Sequence, residues 1–255
     1  MDMQSRAPYL RIATRPLFLD QAMRIAARMQ HKRPSELRRL MNTSDELTKS
    51  VFDMYAHWSP NAPGKAALWA YKGDVYKGVY ADTLDPAAAA WAEQHIVILS
   101  GLYGLLRPHD AVQRYRLEMK AGLKVGRANN LYEFWSDTLG VYAAEHSDGV
   151  ICCLSSNEYA RAVLRHVPSS IRVVTPTFFD TKPNGQVGTV PIYSKMMRGV
   201  MARWIIDHRI DSPEGLCDFT GHGYAYDAGR STKDAPAFYR AVMKPLVFTP
   251  PLTNN

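Results

Sequence analysis

The stretch HIVILSGLYGLLRPHDAVQRYRLEMK, residues 95–120, begins with a short β-branched apolar run that Gly101 ends. A run of that length and composition reads as a buried strand. Ahead of it, Pro86 and four alanines start a helix to about residue 94. The same order recurs downstream. GVICCLSS (149–156) is a continuous apolar strand followed by the helix NEYARAVLRHV, and IRVVTPTFFD is a third strand before a long helix near 191–209. Buried strands alternating with helices predict an α/β fold with a mixed sheet surrounded by helices.

Working outward, the N-terminal fifth reads as helical. LDQAMRIAARMQ (19–30) is amphipathic, and Pro34 opens a second helix, SELRRLM. Thr43 and Glu46 form a capping-box pattern before a third, DELTKSVFDMYAHW. ALWAYKGDVYKGVY (67–80) predicts a strand entering a glycine turn, and RLEMKAGLKV another strand. LYEFWSDTLGVYAAEH reads as one aromatic-rich helix, and the last forty residues as irregular. A single domain over 1–245 with a frayed tail at 246–255 is expected.

The 255 residues are 46% hydrophobic and 22% charged, an ordinary globular composition. No apolar run approaches the ~20 residues that span a bilayer, and the start MDMQSRAPYLRIATRP has no apolar core of a signal peptide. The expectation is a cytoplasmic chain without a membrane partner. Cys152, Cys153 and Cys217 lack disulfide or zinc spacing and read as small core residues, so neither a metal nor a cofactor is expected. The net charge of +7 favours polyanionic partners.

Three constellations could carry chemistry. On the helix YSKMMRGVMARWIIDHR, Lys195, Arg198 and Arg203 flank a strip of small residues that includes Gly199. A mid-helix glycine costs ~1 kcal/mol relative to alanine, so it needs a reason. An approach for phosphate is one reading; a solvated face or close helix packing are others. SSNEY (155–159) sits where a strand leads into a helix, and Glu158 there faces the positive end of the helix dipole. KGDVYKG (72–78) brackets Asp74 with glycines, without the order of a phosphate-binding P-loop. Asp180 follows a β-branched strand, where α/β proteins place ligands. No nucleophile elbow exists, so a Ser-His-Asp triad is not expected.

AYKGDVYKG, LSGLYGLLRPHDAVQRYRLEM, LYEFW, SSNEYARAV, FFD, YSKMMRGVMARWII and GHGYAYD stand in the order seen in the YaaA family (UPF0246, DUF328), the peroxide stress resistance proteins. The resemblance spans about residues 2 to 240. It implies a compact, cantaloupe-like α/β domain with a helix-hairpin-helix element, a positively charged cleft and binding of DNA. A helix-hairpin-helix meets phosphates through backbone amides, which would suit Gly101 and Gly104 beside Arg107. The pattern departs at the start. The family's short apolar strand ending in Ser-Pro-Ala-Lys-Thr has no counterpart ahead of MDMQSR, which would leave a sheet edge uncovered and remove a cleft lysine.

Two readings compete. In the first, the chain is a DNA-binding protein of the peroxide stress response. Arg107, Arg114, Arg116, Lys195, Arg198 and Arg203 would then meet the phosphates of double-stranded or distorted DNA without base reading. In the second, it is an enzyme on a phosphate- or nucleobase-containing small molecule. The same cations would then work with Asp74, Glu158, Tyr159 and Asp180 as acid–base groups.

Overall fold

The computed structural model of the chain describes residues 1–4 and 14–241; the expected frayed tail lies outside the described residues. The fold is mixed α/β. Its first half runs α1 (Leu19–Gln30), α2 (Pro34–Met41), α3 (Asp45–Ala56), β1 (Lys65–Ala66), α4 (Ala67–Ala70), α5 (Asp74–Val79), α6 (Pro86–His95), β2 (Ile98–Ser100), β3 (Gly104–Leu106) and β4 (Ala111–Val112). Then follow α7 (Leu131–Trp135), α8 (Thr138–Glu145), β5 (Val150–Cys152), α9 (Asn157–Leu164), β6 (Arg172–Val174), β7 (Thr177–Thr181), β8 (Val187–Gly188), α10 (Pro191–His208), β9 (Ala225–Tyr226) and β10 (Ala237–Arg240). These elements gather into two compact units, each drawn from separate stretches of chain. Unit 1 takes Met1–Tyr71, Glu93–Val141 and Asn157–His166; unit 2 takes Lys72–Ala92, Tyr142–Ser156 and Val167–Asn255.

In unit 1, α1 buries Ala22, Ile25, Ala26 and Met29 at helical spacing, as the amphipathic pattern predicts. The cap of α3 falls one residue later than expected. Ser44 accepts from Leu47 N, while the Thr43 hydroxyl turns inward to Thr48. The strand expected at the start of ALWAYKG does not form: Ala67–Ala70 are α4, and the two-residue β1 lies just ahead of them. No strand forms in RLEMKAGLKV either. Leu117, Met119, Ala121, Leu123 and Val125 are buried alternately, giving a strand-like pattern, but the stretch joins no ladder and ends in a tight turn at Val125–Ala128. Ser136, at φ 46°, breaks the expected aromatic helix into α7 and α8.

The GLYG segment is not a helix-hairpin-helix. β2 and β3 pair antiparallel, Ile98 with Leu106 and Ser100 with Gly104, so residues 101–103 form a three-residue β-hairpin loop. Both glycines are buried. A side chain on Gly101 would strike the Leu117 carbonyl at 2.6 Å. Gly104 adopts φ +71°, and a side chain there would meet Trp135 and Leu139 at 2.8 Å. They serve the turn and its packing.

Unit 2 is built on a four-stranded mixed sheet in the order β8-β7-β10-β9, beside the parallel pair β5-β6. The run IRVVTPTFFD divides into β6 and β7 around Thr175 and Pro176, because proline cannot donate to a ladder. β10, from the stretch expected to be irregular, pairs with β7 in parallel and with β9 antiparallel. α10 lays Met197, Met201 and Ile205 into a core with Phe178, Phe219 and Phe238. Its other side answers the question of Gly199. A side chain there would lie 1.8 Å from the Val75 carbonyl, and one on Gly78 would lie 2.4 Å from the Met196 carbonyl. The strip of small residues is therefore a backbone-to-backbone helix contact with α5, not an open approach for phosphate. Cys153 is buried, as expected of a core residue, whereas Cys152 is exposed and Cys217 half-buried.

Candidate functional site

In each unit, residues of the signature blocks gather into a polar cluster.

In unit 1 the cluster begins at Ser100, the last residue of β2. Its hydroxyl accepts from the Leu102 and Tyr103 amides at 3.2 and 2.9 Å and shares a 2.7 Å hydrogen bond with Tyr115. Tyr115 in turn lies 2.7 Å from the Tyr71 hydroxyl. Burial holds the Tyr115 phenol well above its ordinary range, so it stays protonated and relays hydrogen bonds rather than charge. Beyond it, Arg116 pairs with Glu118 at 3.2 Å, and Lys120 reaches both Glu118 at 3.2 Å and Glu158 at 3.7 Å. Glu158 also accepts from the Lys120 amide at 3.1 Å. Tyr159 is pushed up to about 12, first by burial and then by Glu158 and Glu118.

In unit 2 the cluster is an ion pair locked into the sheet. Asp180 on β7 and Arg240 on β10 are register partners, both buried, with Arg240 Nη2 2.6 Å and Nε 2.8 Å from Asp180 Oδ1. The Tyr224 hydroxyl lies 2.8 and 2.7 Å from the two carboxylate oxygens and donates to them. The guanidinium is stacked over Tyr193 at 4.9 Å and Tyr224 at 5.1 Å. His222, at φ 51°, belongs to the loop that presents Tyr224. Burial, then the Arg240 charge, lowers its pKa, leaving the imidazole neutral at physiological pH.

The predicted residues divide between these settings. Glu158, Tyr159 and Arg116 come together in unit 1, and Asp180 anchors the cluster in unit 2. Asp74 instead pairs with Lys77 at 3.1 Å on α5. Arg107 clasps Asp110 at 2.8 Å and the Arg15 carbonyl at 3.2 Å, so it braces the chain after β3. Arg203 donates to the Val79 and Tyr80 carbonyls at the end of α5 and to Asp207, a cap rather than a free cation. Arg114 is exposed and lines an open cleft of about 520 Å³ with Glu46, Lys49, Asp53 and His57. Lys195 is exposed and Arg198 half-buried on α10. Gly101 and Gly104, read as phosphate-cradling, are covered by core residues.

Sequence reasoning missed Ser100 and Tyr115, which sit inside the signature block, and the pairing of Asp180 with Arg240. The Gly-His-Gly-Tyr run at 221–224 was the available signal for the second. Among the described residues no group of three His, Cys, Asp or Glu side chains is placed to hold a metal. No helix among them is long and apolar enough to cross a membrane.

The charge divides as sharply as the chemistry. Unit 1 contains 19 Lys and Arg against 12 Asp and Glu, and unit 2 contains 12 of each, so the whole net +7 belongs to unit 1.

A mixed α/β chain with a basic, largely helical unit and a neutral sheet unit, each holding a tyrosine hydrogen-bond network, is thus defined. A UPF0246 protein of Ruegeria pomeroyi is 40% identical over 235 residues, covering 89% of this chain and 91% of that relative. One from Bordetella pertussis is 41% identical over 235 residues, with 89% and 90% covered, and one from Cellvibrio japonicus is 40% identical over 241 residues, with 91% and 92% covered. The family model described as Peroxide stress protein YaaA matches residues 1–230. The chain belongs to the YaaA peroxide stress protein family.

Proposed function

We propose that this chain acts in the peroxide stress response by binding the phosphate backbone of DNA through unit 1, without reading base sequence. The observation that carries the reading is the confinement of the net +7 to one unit. Backbone binding needs a cationic surface and no base-specific contacts. The candidate cations Arg114 and Arg116 belong to that unit, whereas Arg107 is engaged by Asp110 and adds structure more than contact. Fluorescence anisotropy of the full chain with a labelled DNA duplex tests it. Affinity falls steeply between about 50 and 200 mM salt, as counterion release requires, and duplexes of different sequence bind alike. Binding insensitive to salt, or absent at low salt, contradicts the proposal.

A second reading, an enzyme acting on a phosphate- or nucleobase-containing small molecule, draws on unit 2. A neutral histidine at positive φ beside a buried Asp–Arg–Tyr network is the kind of strained, pKa-shifted group that active sites use. Thermal stabilisation of the protein by a nucleotide, lost in His222→Ala, would favour it. Equal stabilisation of both proteins, or none, would count against it.

A further inference from the structure

Four cations that the sequence motifs do not single out converge on one open face of unit 1. On α1, Ile25, Ala26 and Met29 point inward, which sends Arg24 and Arg28, one helical turn apart, outward together. Across from them lies the 121–128 stretch, where Leu123 and Val125 are buried and Lys124 is exposed between them. The chain reverses at Val125–Ala128 through reciprocal backbone hydrogen bonds of 3.0 and 3.1 Å, leaving Gly126 and Arg127 at the tip. Gly126 takes φ +60° while Arg127 does not share the positive φ, the pattern of a type II′ turn with glycine first. Helix and turn are joined directly. Arg28 Nε donates to the Lys124 carbonyl at 3.2 Å, and Arg24 Nη2 lies 3.5 Å from where a side chain on Gly126 would start. Arg24 also stacks over Phe134 at 5.0 Å, which fixes its guanidinium on the surface. All four cations are exposed. Glu133 feels Lys124, but its carboxylate is occupied by Asn129 and Asn130.

We infer that Arg24, Arg28, Lys124 and Arg127 form a docking surface for a nucleic-acid backbone. The inference rests on the DNA-binding reading and specifies where on unit 1 the phosphates sit. Two features favour a long polyanion over a small anion. The cations are spread along a helix and a turn rather than around a cavity, and the Arg28–Lys124 hydrogen bond ties the two elements together. Gly126 sets the geometry, since at its φ of +60° any side chain strains the turn.

The test replaces all four in the full chain (Arg24→Gln, Arg28→Gln, Lys124→Gln, Arg127→Gln). A matched control removes equal charge elsewhere in unit 1 (Arg33→Gln, Arg38→Gln, Arg39→Gln, Lys49→Gln). Anisotropy with a labelled DNA duplex is read across a salt series, with circular dichroism confirming that both variants fold. The expected result is a salt slope lowered by about 1 for each phosphate that the patch variant no longer engages, with weaker binding at every salt concentration. The control keeps a steeper slope. Equal losses in the two variants, or stronger binding of the wild type to anionic phospholipid vesicles than to the duplex, overturn the inference while leaving backbone binding in place. Failure of the wild type to bind any duplex overturns both. Gly126→Ala, which leaves every charge intact, weakens duplex binding if the turn positions the cations; an unchanged affinity counts against the geometry.

Discussion

The two units carry the same number of acids and use their cations differently. In unit 2 most arginines are committed internally. Arg172 holds Glu214 and Asp234, Arg203 caps α5, Arg230 pairs with Asp227, and Arg240 is buried against Asp180. In unit 1 the central network is made of hydroxyls, those of buried Ser100 and half-buried Tyr115 and Tyr71, so it needs no charge of its own. Arg24, Arg28, Arg114, Lys124 and Arg127 are left facing outward. Arginine in a family block therefore does not by itself mark a surface: Arg107 and Arg116 are paired within unit 1 as Arg203 is within unit 2, and of the five outward cations only Arg114 belongs to such a block.

That contrast can be broken most forcefully at Asp180. Asp180→Ala leaves Arg240 buried without its counter-charge and lowers unfolding free energy by about 3–5 kcal/mol in urea titrations. Replacing both, Asp180→Leu with Arg240→Met, costs clearly less, because the uncompensated charge is gone. The glycines come next. Gly199→Ala drives a methyl into the Val75 carbonyl of unit 2, and Gly104→Ala forces a positive φ against Trp135 in unit 1; each costs about 1–3 kcal/mol, read from the same titrations. Tyr115→Phe removes the hydroxyl between Ser100 and Tyr71 and costs about 1 kcal/mol, a measure of how little a neutral network loses beside an ion pair.

The smallest effect is a pH dependence. His222 has a folded pKa depressed below the ordinary 6.5, so the unfolded chain takes up its proton first. Its contribution to stability is present above pH 6.5 and is lost as the pH falls below that value. Melting temperatures of the wild type therefore drop on acidification from neutrality more than those of His222→Asn. Parallel curves would show that the imidazole is not shielded.

The α/β order was legible because buried strands and proline-started helices leave periodic signals; α1, α2, α6 and α10 fall where the pattern puts them. What escaped were features that local pattern does not encode. The 117–125 stretch alternates like a strand, yet it joins no ladder. β10 is four residues long in a polar-flanked tail and becomes a sheet strand through pairing with β7, sixty residues away. Gly199 reads identically whether phosphate or another helix approaches it; only the Val75 carbonyl decides. Arg240 carries no sign in the sequence that it would be buried, and the partnership with Asp180 follows from strand register alone.

The most direct test of the account compares the units by charge removal in the full chain. One variant neutralises Arg24, Arg28, Arg114 and Lys124 of unit 1; the other neutralises Lys77, Lys182, Lys195 and Lys233 of unit 2. Both are titrated with the same labelled DNA duplex across a salt series. The account predicts that only the unit 1 variant loses salt slope, by about 1 for each phosphate it no longer engages. An equal or larger loss in the unit 2 variant would contradict it.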